Sequence, residues 1–289
     1  MHPTFDLDAF IDQALAEDVG DGDLTSLALL PESLRAVGHL RIREEGVCAG
    51  LAAALRVFER LDAAVEVESL QRDGDDVGAA AHVGTVRGSA RTIVTGERLA
   101  LNLLGRLSGI ATLTRSFVQE VEGTGVDIVD TRKTTPLLRA LEKDAVRCGG
   151  GVNHRFGLFD AILVKDNHLD LIGAAGSPER VREAARRARS ESPDGTFVQV
   201  EVETLAEALA VADEGVDSIL FDNFRPDALE EAVAAVRAAA KGRIVLEASG
   251  GVNLHTARLY ALTGVDRISV GALTHAARSL DVTLEIERE

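Results

Sequence analysis

At 289 residues and 46% hydrophobic content, the chain can form one large α/β domain or two smaller ones and bury a substantial core. Its 47 acidic against 31 basic side chains give a formal net charge of −16, which repels polyanions and argues against nucleic acid or an anionic membrane as partner. No stretch approaches the roughly 20 apolar residues of a membrane helix, and Met1 to Asp6 lack the basic start and apolar core of a signal peptide. The expected location is therefore the cytoplasm. The 2 cysteines, Cys48 and Cys148, are too few for a disulfide framework or a structural zinc site and read as packing. Only Lys133, Lys143, Lys165 and Lys241 are lysines, and the acid excess suits a halophile-like surface, since screening lengths shrink to roughly 3 Å at 1 M salt.

In chain order, Asp6 to Ala16 has amphipathic helical spacing. Glu17 to Ser26 is a turn-rich acidic loop without the spacing or closing Glu of a calcium loop. Arg35 to Glu44 alternates as a half-buried strand, and Val47 to Leu61 is Ala-rich and helical. Ala64 to Leu70, Ala80 to Val86 and Ala90 to Val94 read as further strands of a mixed antiparallel layer. Residues 1–106 form an expected first domain. A long helical pattern from Glu97 to Val121 follows, with Gly105 and Gly109 inside it. Each weakens a helix by about 1 kcal/mol relative to Ala, so close packing or a kink is expected there.

From Val126 the pattern becomes regular β then α. Strands are expected to end at Asp130, Lys165, Glu201, Asp222, Glu247 and about Ser269, with helices around 178–189, 204–213, 226–240 and 253–262. Such repeats predict a parallel sheet covered by helices, most simply an incomplete α/β barrel of about six strands over residues 107–279. The final segment, Val282 to Ile286, alternates again, and 280–289 is expected to return to the first domain as an edge strand.

Asp130 to His168 stands apart electrostatically. It holds seven basic and five acidic side chains, a formal charge of +2 in a chain of −16. Arg132, Lys133, Arg139, Arg155 and Lys165 gather there with His154 and His168, and two of the four lysines fall at strand ends. In α/β barrels those ends carry the site. Basic groups come from the first two strands, the carboxylates Glu201, Glu203 and Asp222 from the middle two. Small loops come from the last two: Ser249-Gly250-Gly251 and Ser269-Val270-Gly271. Planar guanidiniums match carboxylate or phosphate, glycine turns before helices suit phosphate, and paired carboxylates suit sugar hydroxyls or a divalent cation. Taken singly, each is equally a surface charge, an ordinary βα turn or a structural carboxylate. Together they describe a pocket for an organic anion beside a metal-bound sugar phosphate.

The ordered blocks DTRKTTP, GGGVNHR, LVKDNH, VEVET, FDN, EASGG and SVGALTH closely resemble the quinolinate phosphoribosyltransferase family, as do EDVGDGDLT and GERLALNLLGRLSGIAT. The resemblance implies an open α/β N-terminal domain, an incomplete barrel and a homodimer or higher assembly. It also implies conversion of quinolinate and phosphoribosyl pyrophosphate to nicotinate mononucleotide, pyrophosphate and CO2, with Mg2+ as cofactor. By the same resemblance Arg98 reaches quinolinate from the neighbouring subunit, and Arg132, His154, Arg155 and Lys165 bind it. Lys133 lies between the substrates. Glu201 and Asp222 serve the ribose hydroxyls and the metal, directly or through water. Thr131, Ser249, Gly250, Gly251, Ser269, Val270 and Gly271 belong to the phosphate loops. A same-fold paralogue associated with molybdenum uptake would keep those loops and alter the basic set. A silent ligand-binding barrel would have lost one of Lys133, Lys165, Glu201 or Asp222.

Overall fold

A computed structural model describes residues 5–173 and 177–289. The first four residues, part of the segment read as lacking a signal peptide, lie outside it. The first part of the chain runs α1 (Leu7–Val19), α2 (Leu24–Leu29), β1 (Arg35–Ile42), β2 (Gly46–Val47), α3 (Leu51–Leu61), β3 (Glu66–Ser69), β4 (Asp76–Val77), β5 (Ala81–Ser89) and α4 (Ala90–Glu120). There follow β6 (Asp127–Val129), α5 (Arg139–Cys148), β7 (Ile162–Val164), α6 (Asp166–Ile172), α7 (Pro178–Glu191), β8 (Val198–Val202) and α8 (Leu205–Val211). The chain closes with β9 (Ser218–Asp222), α9 (Pro226–Ala239), β10 (Val245–Ser249), α10 (Leu254–Ala261), β11 (Arg267–Ser269), α11 (Ala272–His275) and β12 (Val282–Arg288). No helix among the described residues is long and apolar enough to cross a membrane.

The chain divides into two compact units, the first made of Met1–Arg115, Thr134–Gly150 and Leu273–Glu289, the second of Ser116–Lys133 and Gly151–Ala272. In the first, an antiparallel sheet has the order β12-β1-β5-β3. The chain's last strand thus pairs with its first, Leu40 opposite Leu284. α3 lays Leu51, Ala54, Leu55 and Phe58, all buried, against this unit's core. The acidic loop ends in a helix cap: Asp23 Oδ1 accepts from the Thr25 and Ser26 backbone N–H groups at 3.1 and 3.0 Å and starts α2, a helix the loop reading does not contain.

Ala90 to Val94 does not form the expected strand. It is the first turn and a half of α4, with Ile93 fully buried, so tertiary packing outweighs the β preference of Thr92, Ile93 and Val94. α4 continues through both glycines, and each marks a close approach. A Cβ on Gly105 would lie 2.9 Å from the Leu280 carbonyl oxygen, and one on Gly109 only 1.9 Å from that of Arg278. Between the two glycines the Arg106 guanidinium donates to Glu142 Oε1 at 2.9 Å and to the Ala277 carbonyl at 2.7 Å. Glu142, wholly buried, also accepts from the Thr135 backbone N–H at 3.1 Å and its hydroxyl at 2.9 Å. One buried carboxylate therefore anchors the chain two residues past Lys133.

The second unit holds a six-stranded parallel sheet in the order β6-β11-β10-β9-β8-β7. Each strand after β7 sits beside its predecessor, and β11 returns to pair with β6. β6 and β7 are not paired with each other, so this is an incomplete α/β barrel. Val152 makes an isolated parallel bridge to Val129 along the outer edge of β6. Every residue of β8 is buried, the signature of a strand covered on both faces. β10 runs to Ser249, two residues beyond the expected end, which moves Glu247 from the strand's rim to its interior.

Gly109→Ala, with its Cβ driven against backbone, should lose roughly 2 kcal/mol or more of stability. Gly242→Ala, a site with negative φ and nothing within 4 Å, should melt like wild type. Equal melting of the two variants would contradict the close approach.

Candidate active site

Strand register aligns the polar residues at the C-terminal rim of the second unit. Asp222 is opposite Ser249 and Ser249 opposite Ser269, so three adjacent strands present one row of side chains. On the other side Val164 is opposite Val200, so the next residue, Lys165, meets Glu201. Its Nζ lies 2.5 Å from Glu201 Oε2, with the carboxylate buried and the lysine part-exposed.

The loop after β6 is tied down by its first residue. Buried Asp130 accepts from the His154 backbone N–H at 2.8 Å through Oδ1 and from the Asn153 amide at 2.6 Å through Oδ2. This brings residues 131–133 to the segment 153–155 in the same unit. Thr131 Oγ1 accepts from the Lys133 N–H at 3.1 Å, a local turn that leaves the lysine exposed at the rim. Arg155 donates to the Ala161 carbonyl at 2.9 Å, and Asp160 closes the intervening loop by accepting from the Phe156 and Gly157 N–H groups.

Arg132 and Arg155 face a common problem. Burial pulls the Arg155 pKa down, Arg132 beside it adds to that, and Asp160 opposes only in part. The Arg132 Nε is buried without a hydrogen-bond partner among the described residues. Two partly desolvated guanidiniums held near one another make a site whose most favourable occupant is a multiply charged anion. The cavity at His154, Arg155, Asp160, Gln199 and Arg267 measures about 220 Å³.

The carboxylate side is the electrostatic opposite. Burial raises the Glu203 pKa first, and Glu207, Asp166, Asp222 and Glu201 raise it further. Asp222 Oδ2 accepts from the Asn223 amide at 2.6 Å. Asn223 itself takes φ +56°, and a Cβ on Gly250 would lie 2.2 Å from its Oδ1. Gly250 (φ +92°) and Gly251 (φ +66°) both have left-handed backbone, and the space around Gly251 is open. The loops after β9 and β10 are thus built against each other and leave an open glycine at the rim.

One donor set bears on a metal. No group of three or more His, Cys, Asp or Glu able to hold an ion occurs among the described residues. Glu201 and Asp222 instead offer two oxygen donors in a negative field, which fits a Mg2+ that brings substrate oxygens with it rather than an all-protein cage.

Of the residues singled out in the sequence, the second unit brings Thr131, Arg132, Lys133, His154, Arg155, Lys165, Glu201, Asp222, Ser249, Gly250, Gly251, Ser269, Val270 and Gly271 onto one barrel framework. Arg98 lies in the first unit, exposed on α4. His168 has a local role, its Nδ1 accepting from the Lys165 N–H at 3.0 Å at the start of α6. Arg139 donates to Thr134 Oγ1 at 3.0 Å. Asp130 and Glu247 read in the sequence as strand ends without a part in the site, and Gln199 is not singled out there. Their signal is a polar residue inside or closing an otherwise apolar strand, as in VQVEV and VLEAS.

Residues 23–108 match the family model for the N-terminal domain of quinolinate phosphoribosyl transferase, and residues 110–285 match that for its C-terminal domain. A probable nicotinate-nucleotide pyrophosphorylase [carboxylating] of Bacillus subtilis is 42% identical over 273 residues, covering 93% of this chain and 90% of its own. A quinolinate phosphoribosyltransferase [decarboxylating] of Nicotiana glauca is 39% identical over all of this chain and 84% of its own. The solved NadC of Streptococcus pyogenes superposes with a TM-score of 0.89 at 38% identity, covering 98% of this chain and 97% of that one. With both domain models matched and relatives of this identity aligned along almost its whole length, the chain belongs to the quinolinate phosphoribosyltransferase family.

Proposed function

We propose that the rim of the second unit is where this quinolinate phosphoribosyltransferase joins the pyridine nitrogen of quinolinate to C1 of phosphoribosyl pyrophosphate. Pyrophosphate leaves, and loss of the C2 carboxylate as CO2 then gives nicotinate mononucleotide for NAD biosynthesis. The observation that carries the residue assignment is the pair Arg132 and Arg155, brought together with burial opposing the charge of Arg155 and with the Arg132 Nε buried and unpartnered among the described residues. Quinolinate offers two carboxylates to such a site, and Lys165 adds a third cation beside Glu201.

Glycosidic bond exchange at C1 builds positive charge on the ribose as the leaving group departs. Glu201 and Asp222 hold the ribose hydroxyls and stabilise that charge. Glu201 does so while its bond to Lys165 keeps it oriented. Mg2+, when bound, supplies charge neutralisation for the pyrophosphate. Lys133, exposed next to the arginine pair, sits between the two substrates and offsets developing negative charge on the leaving group. The row Ser249 and Ser269, with Thr131, Gly250, Gly251, Val270 and Gly271, receives the 5′-phosphate through hydroxyls and backbone N–H groups. After transfer the cationic ring nitrogen stabilises the electron pair that departing CO2 leaves at C2, a proton from solvent completes the C2–H bond, and the protein's remaining contribution is orientation.

Arg98, exposed on α4 and without an ion pair among the described residues, completes the quinolinate pocket of a neighbouring subunit in a homodimer. The enzyme works in the cytoplasm, and its acid excess is a surface adapted to high salt.

Lys133→Ala should lower kcat by about 100-fold or more with melting unchanged, and near-normal turnover would remove the lysine from its assigned place. Equal mixing of Arg98→Ala and Lys133→Ala subunits, each inactive alone, should restore about a quarter of wild-type activity, because half of the dimers then carry one intact site. No recovery in demonstrably mixed dimers would place Arg98 outside the shared site.

A further inference from the structure

Below the basic groups, a line of buried polar side chains runs from His154 into the barrel. Gln199 of β8 is 1% exposed and Glu247 of β10 is 0% exposed. His154 Nε2 lies 2.8 Å from Gln199 Oε1. The Gln199 amide nitrogen donates to Glu247 Oε2 and is within reach of Ser218 Oγ, both at 3.0 Å. On the opposite side of the imidazole, the Arg155 backbone N–H donates to His154 Nδ1 at 2.8 Å.

These contacts assign the proton. A backbone N–H only donates, so Nδ1 is an acceptor and carries no hydrogen. The Gln199 NH2 faces Glu247 Oε2 and Ser218 Oγ, so its carbonyl oxygen faces His154. Nε2 must therefore be the protonated nitrogen. The second oxygen of Glu247, Oε1, has no hydrogen-bond partner among the described residues and lies 3.7 Å from Nε2. It is a spare acceptor on the same side of the ring, so the imidazole can pivot when a ligand enters without stranding its N–H.

We propose that Glu247, acting through Gln199, is a positioning residue that fixes His154 as a neutral, Nε2-protonated wall of the quinolinate pocket, leaving the substrate's charge to the arginine and lysine groups. The inference rests on the placing of His154 in that pocket above. A glutamate at 247 is what makes the line directional. With an amide there, Gln199 can reverse and present its NH2 to Nε2. The ring would then need its proton on Nδ1, where it meets the Arg155 N–H donor to donor.

Nitrogen-15 NMR of histidine-labelled wild-type enzyme, with His154 assigned from the spectrum of His154→Ala, reads the tautomer directly. The expected signals are an unprotonated Nδ1 and a protonated Nε2, and a proton on Nδ1, or on both nitrogens, at neutral pH overturns the assignment. The isosteric Glu247→Gln should mix the tautomers and raise KM for quinolinate about tenfold while KM for phosphoribosyl pyrophosphate stays within about twofold. If His154→Ala raises the quinolinate KM and Glu247→Gln does not, Glu247 has no positioning role. If His154→Ala leaves that KM unchanged, the pocket assignment fails, and the functional half of the proposal fails with it. Should Glu247→Gln not fold, the wild-type spectrum still decides.

Discussion

Parallel pairing in register is the constraint on which the second unit depends. Because side chains alternate with period two, a slip of one residue in any strand would turn its rim residue away from the barrel's interior. The register that sets Asp222, Ser249 and Ser269 in one row also brings Lys165 to Glu201 and stacks Gln199 and Glu247 beneath them. Apolar positions on the helix-facing side of the same strands, such as Val198, Val200, Val202 and Ile219, are fully or almost fully buried and hold that register. The site's geometry is therefore a by-product of how the hydrophobic faces of six short strands are covered.

Charge works on a different scale. The chain as a whole is strongly acidic, yet it gathers desolvated guanidiniums in one place and raises the pKa of Glu203 in another. Both are arrangements that burial penalises, and both are relieved by a ligand of the opposite sign. Buried acids elsewhere hold the frame: Asp130 binds the 153–154 segment to the end of β6, and Glu142 with Arg106 anchors Thr135 in the first unit. None of these acids needs to touch a substrate to matter to the site.

Much of this was legible in the sequence. Near-continuous apolar runs such as SILFD and ILV announce buried parallel strands, and reading only the residues that end them recovers the rim, because βα folds place loops and chemistry at the same end. The failures share a cause. Ala90 to Val94 is β-branched and lies in a helix because a long buried partner surface outweighs a weak local preference. Glu247 was placed at a strand end because its polarity looked like a boundary, whereas it is a buried group that accepts through Oε2 from a neighbour 48 residues away. Asp23 looked like loop solvation and caps a helix. In each case the deciding contact is non-local, or depends on a turn whose geometry composition does not reveal.

The central claim is that the paired arginines, with Lys165, read two carboxylates. The most direct measurement supplies the enzyme with Mg2+, phosphoribosyl pyrophosphate and either quinolinate or nicotinate, in high salt, and follows CO2 and mononucleotide together. The account predicts nicotinate mononucleotide from quinolinate alone, with one CO2 released for each molecule formed. Comparable mononucleotide from nicotinate, or turnover of quinolinate without CO2, would contradict it.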